Sequence, residues 1–358
     1  LGHYHLDGPS AVGTEAQARE ALDAMIAAVD PQQVVNRPCR QGRGHGKGFE
    51  RMLAERLLEY SQKLDLYTGA RDRMRAEGRR SMSKTDEDAT FMRMKEDHML
   101  NGQLKPGYNI QNIVDSGYVV GTYCSRDRTD QHTLVPAMEQ LRQRLGFDYQ
   151  GVCADSGYDC VENYRYLQDR GMYAYIKTQT YEQNKKRKVR KDPGSKLNMT
   201  YDGKKDQLRC ANNTVLHNTG RNGSDGTCLY EAKRGCVGCA YRRACMKGQA
   251  AKQRFKRMQY NPVVEEYRAN SLANITSEKG VEARLNRSIQ AEGSFALIKD
   301  ALGLRRFLTK GMANVETEGI LLCMAANALR LQAKIRSGRL GIPTWYHLDT
   351  ADPLDEAV

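Results

Sequence analysis

The chain has 358 residues, enough for one large domain or two smaller ones with a sizeable core, and 40% of them are hydrophobic. Lys and Arg total 56 against 43 acidic residues, a formal charge of +13, which favours a polyanionic partner and leaves DNA, RNA and an acidic membrane surface open. No run is apolar for long enough to span a bilayer and no basic-then-apolar signal segment opens the chain, so a soluble, intracellular protein is expected.

Leu1 stands first in place of Met, and residues 1–13 read as the tail of something upstream, as in a fragment or a processed chain. Residues 1–80 form an N-terminal linker and helical segment. A helix is expected over residues 15–29, followed over 36–48 by a loop rich in Arg, Gly and His whose composition suits a linker better than a phosphate contact. Over residues 49–77, Met52, Leu53, Leu57, Leu58, Tyr60 and Leu64 share one side of a long helix with many arginines elsewhere.

From residue 81 to 180 the pattern changes to strands followed by helices. Residues 85–92 are expected to open this stretch as a strand with Asp86 and Asp88 near its start. Residues 108–115 and 118–124 flank a Ser-Gly turn and predict a hairpin. A helix follows over 130–145, with Leu134, Met138, Leu141 and Leu145 at three- and four-residue steps. Asp130 or Thr129 would cap it, and for Asp130 and His132 the start of a helix is preferred over a place in a site. A strand over 149–154 then runs into Asp155, and a helix over 160–169 and a strand over 173–177 complete the stretch. Strands that first meander and then alternate with helices predict an α/β fold, a mixed sheet flanked by helices. Ligand-binding residues of such sheets sit where strands end, as Asp155 does.

Residues 181–280 differ in kind and read as a basic, Cys-containing insertion. The block 185–191 begins Lys185-Lys186-Arg187, either a solvated loop or a phosphate contact, and Pro193-Gly194 breaks any regular element. Cys236 and Cys239 form a CxxC pair followed by Cys245, and Cys210, Cys228 and His217 are candidates for the remaining donor of a tetrahedral zinc site. A reduced, partly buried thiol group is the competing reading. Ten cysteines diluted over so long a chain are expected to be reduced, with Cys124, Cys153, Cys160 and Cys323 serving as packing residues.

Residues 281–340 return to helical periodicity. On the first helix, running through residue 301, Ile289, Phe295 and Ile298 are expected to pack. Glu292 and Lys299 lie two turns apart on a neighbouring stripe, too distant for a simple intrahelical ion pair and so free to face a shared ligand. A second helix over 314–335 carries Ile320, Leu321, Met324, Ala325, Ala328, Leu329 and Leu331, a broad apolar stripe expected to be core. Residues 341–358 form a peripheral tail.

Asp86, Asp155 and Glu292 thus stand on three different elements. Phosphodiester chemistry with two magnesium ions needs such a set, because hard cations about 3.5–4 Å apart are bridged by carboxylate oxygens while open positions remain for water and substrate. With 43 acidic residues many triples exist, so spacing alone decides nothing.

The order of motifs carries more. Thr85-Asp86-Glu87-Asp88-Ala89, then Pro106-Gly107-Tyr108-Asn109-Ile110-Gln111 leading to Val114-Asp115, then Asp130-Gln131-His132, Ala154-Asp155-Ser156-Gly157-Tyr158 and Gln290-Ala291-Glu292-Gly293 follow one another, with Phe295 and Lys299. Gly303-Leu304-Arg305-Arg306-Phe307, Lys310-Gly311 and Ala326-Asn327 continue the series. Together they cover most of residues 80–335, and the chain resembles an insertion-sequence transposase of the DDE class with a ribonuclease-H-like catalytic core.

That resemblance implies that Asp155 and Glu292 are catalytic. It makes Asp86 the first aspartate, with Asp88 and Asp115 as alternatives, and magnesium or manganese the metal. It places Arg287 and Lys299 on the DNA backbone, with Lys185, Lys186 and Arg187 as further DNA-binding candidates. Of the Tyr, Arg, Glu and Lys signature that family members often carry, Glu292 and Lys299 match. The Arg stands one place early at Arg287, with Ser288 in its stead, and no tyrosine fills the Tyr position. The implied partners are double-stranded DNA, at element ends and target, and a second copy of the chain in a synaptic dimer, in the cytoplasm of a prokaryote. The competing reading is a non-catalytic nucleic-acid-binding protein with a structural zinc site, an inactive or truncated relative, since residues before 80 show no helix-turn-helix reader.

Overall fold

The computed structural model describes residues 3–5, 15–38, 48–94, 102–223 and 225–342. Most of the loop expected over 36–48, most of residues 1–13 and nearly all of the tail lie outside these. Contacts divide the chain into two compact units, Leu1–Tyr108 with Leu308–Val315, and Asn109–Phe307 with Glu316–Val358.

The first unit contains β1 (His3–His5), α1 (Glu15–Val29), α2 (Pro31–Asn36), α3 (Phe49–Ala76), β2 (Ser81–Ser83), β3 (Thr90–Arg93) and β4 (Leu104–Gly107). β1 pairs antiparallel with β2, and β3 with β4. α1 and α2 lie along α3, which buries Ala54, Leu57, Ala70 and Met74, so the expected stripe is narrower than its hydrophobicity: Met52, Leu53 and Tyr60 are exposed. The strand expected over 85–92 begins only at Thr90. Asp86 accepts from the Asp88 amide at 3.3 Å, an aspartate turn that competes with strand pairing.

In the second unit, β5 (Asn109–Asp115) and β6 (Tyr118–Ser125) form the expected hairpin, with Ser116 at φ 51° and Gly117 at φ 83°. Two left-handed residues in a two-residue loop match the twist of the paired strands. α4 (Leu134–Leu145) follows. β7 (Gly151–Ala154) and β8 (Tyr173–Ile176) then pair in parallel across α5 (Val161–Asp169), a βαβ unit. Leu134, Met138 and Leu141 of α4 meet Tyr164 and Leu167 of α5 and Ile176 of β8 in one core. The expected single sheet is divided: among the described residues β5/β6 and β7/β8 are separate pairs.

After two short helices, α6 (Tyr181–Lys185) and α7 (Arg187–Arg190), comes a five-stranded antiparallel sheet. It is built from β9 (Thr200–Asp202), β10 (Gln207–Arg209), β11 (Val215–Asn222), β12 (Cys228–Ala232) and β13 (Arg257–Tyr260), in the order β13-β12-β11-β10-β9. Leu208, Leu216, Tyr230 and Ala232 give it a core of its own, and the short α8 (Arg242–Cys245) lies in the long excursion between β12 and β13.

The chain returns through α9 (Pro262–Thr276) and α10 (Glu278–Arg287), continues through a π-helical turn at Ser288–Glu292, α11 (Gly293–Ala296) and a second π-helical turn at Leu297–Ala301, and ends in α12 (Met312–Arg336). The π turns correct the expected packing face. Each turn takes more than 3.6 residues, so the buried residues are Gln290, Ser294 and Ile298, four apart, while Ile289 is 58% exposed. α12, a regular α-helix, also buries a face other than the expected one. Val315, Cys323 and Ala326 are buried with Lys334, whereas Leu321, Met324 and Leu331 of the expected core stripe face outward.

Two polar anchors hold this unit. Asn327 on α12 accepts from the Val119 amide of β6 and donates to the Val119 carbonyl, both at 2.8 Å, completing a strand position with a side chain. Asp159, whose side chain is 0% exposed, accepts from Arg268 Nε of α9 at 3.0 Å, from the Tyr164 hydroxyl of α5 at 3.0 Å and from the Gln179 amide at 2.9 Å. Burial works against the charge on Arg268, but Asp159 and Glu265 outweigh it and raise its pKa above the ordinary guanidinium value.

Asp159→Ala, which leaves Arg268 half-buried with Glu265 as its remaining counter-charge and strands the Tyr164 hydroxyl and the Gln179 amide, is expected to lower unfolding free energy by about 3–5 kcal/mol in urea titration. Asn327→Leu fills the space but strands the Val119 amide and carbonyl, and a loss of about 1–3 kcal/mol is expected in the same measurement.

Candidate active site

Asp155 follows the last residue of β7 and caps a single 3₁₀ turn, Ser156–Tyr158, by accepting from the Gly157 amide at 2.8 Å. Its neighbour across this turn is Asp130. A Cβ placed on Gly157 would stand 2.9 Å from Asp130 Oδ2 and 3.0 Å from Asp155 Oδ1, so two carboxylates face each other over a residue with no side chain. Asp155 is exposed and Asp130 half-buried.

The cap expected at Asp130 is not what its side chain does. Asp130 opens a short 3₁₀ turn to His132 without a side-chain cap, and Thr133 precedes α4. The carboxylate instead takes Asn109 Nδ2 at 2.8 Å and Gln111 Nε2 at 3.0 Å, both from β5. Asn109 and Gln111 are two apart on a strand and therefore point to one face. Gln111 Oε1 in turn accepts from the Tyr158 hydroxyl, so a chain of hydrogen bonds runs from Tyr158, next to Gly157, through Gln111 to Asp130. Burial, with Asp130 and Asp155 beside it, pushes the Tyr158 phenol well up, so at neutral pH it stays a donor. Arg287 opposes that shift, which places its guanidinium within electrostatic reach of that phenol. His132, by contrast, lies on the surface beside Glu162, 3.3 Å away.

Glu292 ends the first π turn and is exposed, with Ser288 Oγ donating to Oε1 at 3.2 Å. The segment Ser288–Glu292 packs on β5, the strand that supplies Asn109 and Gln111. An inserted residue in a helix turn re-aims the side chains after it, and such turns gather at functional positions. Arg330 of α12 reaches toward this turn, its Nη2 3.6 Å from where a Cβ on Gly293 would be. Lys299, in the second π turn, is also exposed.

Asp86 and Asp88 belong to the first unit. Asp86 accepts from the Tyr108 hydroxyl at 2.9 and 2.8 Å and from the Gly311 amide at 3.2 Å. Asp88 accepts from the Met312 amide at 2.9 Å and pairs with Arg73 at 3.1 Å. Both carboxylates meet the free amides at the start of α12, where a helix terminus favours negative charge. Asp115 ends β5 and accepts from Ser116 Oγ at 3.3 Å.

The basic block forms α6 and α7 where a loop was expected. Lys185, Lys186 and Arg187 are all exposed, and Lys185 lies 3.9 Å from the centre of the Tyr181 ring. Among the described residues every cysteine is a free thiol, and no three His, Cys, Asp or Glu side chains stand closed in metal-binding geometry. The paired carboxylates of Asp130 and Asp155 supply the hard oxygen donors that suit a magnesium or manganese ion. Cys210, Cys236, Cys239 and Cys245 line one cavity. Cys228 does not line that cavity, and His217 lies on β11, 3.3 Å from Gln207.

The sequence offered a site role for Asp130 only as the less favoured alternative, and gave Asn109 and Gln111 no task of their own. Asp130 is the carboxylate that faces Asp155, and the amides of β5 orient it. A signal for the second was present, because Asn109 and Gln111 alternate with Ile110 along a strand, polar residues sharing the face of an otherwise apolar hairpin.

The family described as transposase DDE domain has a model that matches residues 209–332. This segment contains Arg287, Glu292 and Lys299 together with Cys210, Cys236, Cys239 and Cys245, and ends before Arg336; Asp86, Asp130 and Asp155 lie outside it. Neither the comparison with curated proteins nor that with solved structures gives a match. The family match falls on the stretch that holds Glu292, and with the ordered motifs it supports a chain similar to insertion-sequence transposases of the DDE class.

Proposed function

We propose that the protein is a DNA transposase with a ribonuclease-H-like core, which cleaves phosphodiester bonds at insertion-sequence ends and transfers the freed 3′ hydroxyl into target DNA. The observation that carries this reading is the pair of carboxylates, Asp130 and Asp155, facing each other over Gly157 at the end of a parallel strand. Glu292 joins them in this reading from the π turn packed on β5. The motif resemblance alone names Asp86 as the first aspartate; in this reading Asp130 takes that place beside Asp155.

The chain's own residues have separable tasks. Asn109 and Gln111 hold Asp130 in one orientation, and the Gly157 amide holds Asp155. Tyr158 stays protonated and donates to Gln111, so the chain of hydrogen bonds that ends on Asp130 keeps its polarity. Arg287 and Lys299 bind backbone phosphates, as do Lys185, Lys186 and Arg187, contacts that position the duplex without reading its sequence. Asp130, Asp155 and Glu292 would hold magnesium or manganese, which supplies a lowered pKa for the attacking water or hydroxyl and stabilises the leaving oxygen. Double-stranded DNA is the partner, and two copies of the chain hold two ends in one synaptic complex. Its place of action is the cytoplasm of a prokaryote, on DNA.

Magnesium-dependent nicking of a duplex bearing the element end tests this reading. Asp155→Asn, Asp130→Asn and Glu292→Gln are each expected to lower the cleavage rate about 100-fold or more while leaving duplex affinity within about 3-fold. Undiminished cleavage by both Asp155→Asn and Glu292→Gln would sink the proposal and leave a DNA-binding protein without catalysis. Gly157→Ala puts a methyl group between the two carboxylates and is expected to slow nicking about 10-fold, with little change in thermal stability because both side chains can swing aside.

A further inference from the structure

The excursion between β12 and β13, residues 233–256, is long for a connection with so little regular structure, a four-residue α8 and the 3₁₀ turn Gly248–Lys252. It buries little of its own surface. Cys236 and Met246 are its buried residues, while Val237 and Tyr241 are 66% and 48% exposed. Hydrophobic burial holds it at few points, chiefly Cys236 and Phe255 on the core of the sheet.

What converges there is sulfur. Cys236 and Cys239 from the start of the excursion and Cys245 from the end of α8 line one cavity with Cys210, which belongs to the turn joining β10 to β11. Cys245 lies within electrostatic reach of the other three. The turn at Cys236-Val237-Gly238-Cys239 needs Gly238, which has φ 77°, a left-handed conformation that lets both thiols of a CxxC pair face the same side. The Lys256 amide donates to Cys236 Sγ at 3.5 Å, the sort of bond that stabilises a thiolate ligand. Around this group the backbone is tied by cations. Arg242 donates to the carbonyls of Cys236, Gln253 and Arg254 at 3.1, 3.0 and 3.0 Å, and Lys256 Nζ to that of Gly194 at 3.1 Å.

We propose that Cys210, Cys236, Cys239 and Cys245 bind one structural zinc ion that pins this excursion to the β10–β11 hairpin. Four thiol donors, two of them in a CxxC turn, form a closed tetrahedral site with no position left for water, which makes the ion structural and not catalytic. Since no three of the described side chains are closed on a metal as they stand, binding draws the sulfurs inward by rotation about their χ1 bonds to about 2.3 Å from the ion. Each cysteine loses its thiol proton to solvent as its sulfur ligates, and no electron changes hands. Cys228 has no part in this, because it does not line the cavity. Zinc content is independent of phosphodiester cleavage, so this inference and the transposase reading stand or fall separately.

The test is metal analysis of the purified full chain by inductively coupled plasma mass spectrometry. About one zinc per chain is expected in the wild type, falling to less than about a tenth of that in Cys236→Ser/Cys239→Ser and unchanged in Cys228→Ser. If the double variant does not fold, cobalt replacement in the wild type takes its place, and intense thiolate-to-metal absorption is the expected result. Wild-type protein free of zinc, or equal loss of zinc in Cys228→Ser, overturns the proposal. So does mass spectrometry of alkylated protein that finds any two of the four cysteines joined as a disulfide.

Discussion

The second unit depends on a charge removed from water. Asp159 has no exposed side-chain surface, and a buried carboxylate survives only where partners replace its hydration. Arg268, Tyr164 and the Gln179 amide do so from α9, α5 and the segment after β8, so one side chain ties three parts of the chain together. Asp159 stands next to Tyr158, the last residue of the turn that Asp155 caps. The pair with Arg268 thus fixes one end of that turn, while the Gly157 amide fixes the other. An exposed carboxylate with little packing of its own is held in place by a buried one four residues away.

A second relay runs through β5. Asn327 completes the hydrogen bonding of Val119 on β6, and β6 is paired along its length with β5. β5 presents Asn109 and Gln111 to Asp130 and lies against the π turn that ends in Glu292. The last helix therefore acts on the carboxylates through a hairpin. Peptide groups left unpaired beside a strand are costly, and an asparagine, with one donor and one acceptor on the same amide, is the side chain that satisfies both.

Much of this was legible in the sequence. The hairpin at β5 and β6 was marked by its turn and alternation, the βαβ unit by two short apolar runs around an amphipathic helix, and Asp155 by its place at a strand end. Faces of helices were less legible. The reading of residues 288–301 assumed 3.6 residues per turn, and two π turns moved the packed face from Ile289 to Gln290 and Ser294. On α12 the apolar residues outnumber what the fold buries, so hydrophobicity did not say which side faces in: small and polar Gly319, Cys323 and Ala326 do, beside strand β6. Asp130 was misread for a local reason, since an aspartate ahead of a helix is ordinarily a cap. Its role comes from residues about twenty positions earlier and twenty-five later, which no local pattern joins.

The same contrast separates the two candidate metal sites. The carboxylates are drawn from turns and a helix far apart in sequence, and what organises them is neutral: amide side chains, one glycine and a protonated tyrosine. Asp130 and Asp155 face each other over Gly157 and offer oxygen donors of the kind a divalent ion takes. The cysteines come mainly from one short stretch and are organised by cations on backbone carbonyls, Arg242 and Lys256. One site thus has an exposed carboxylate held by neutral groups, the other thiols on a backbone tied down by cations, a division that suits chemistry at the first and anchorage at the second.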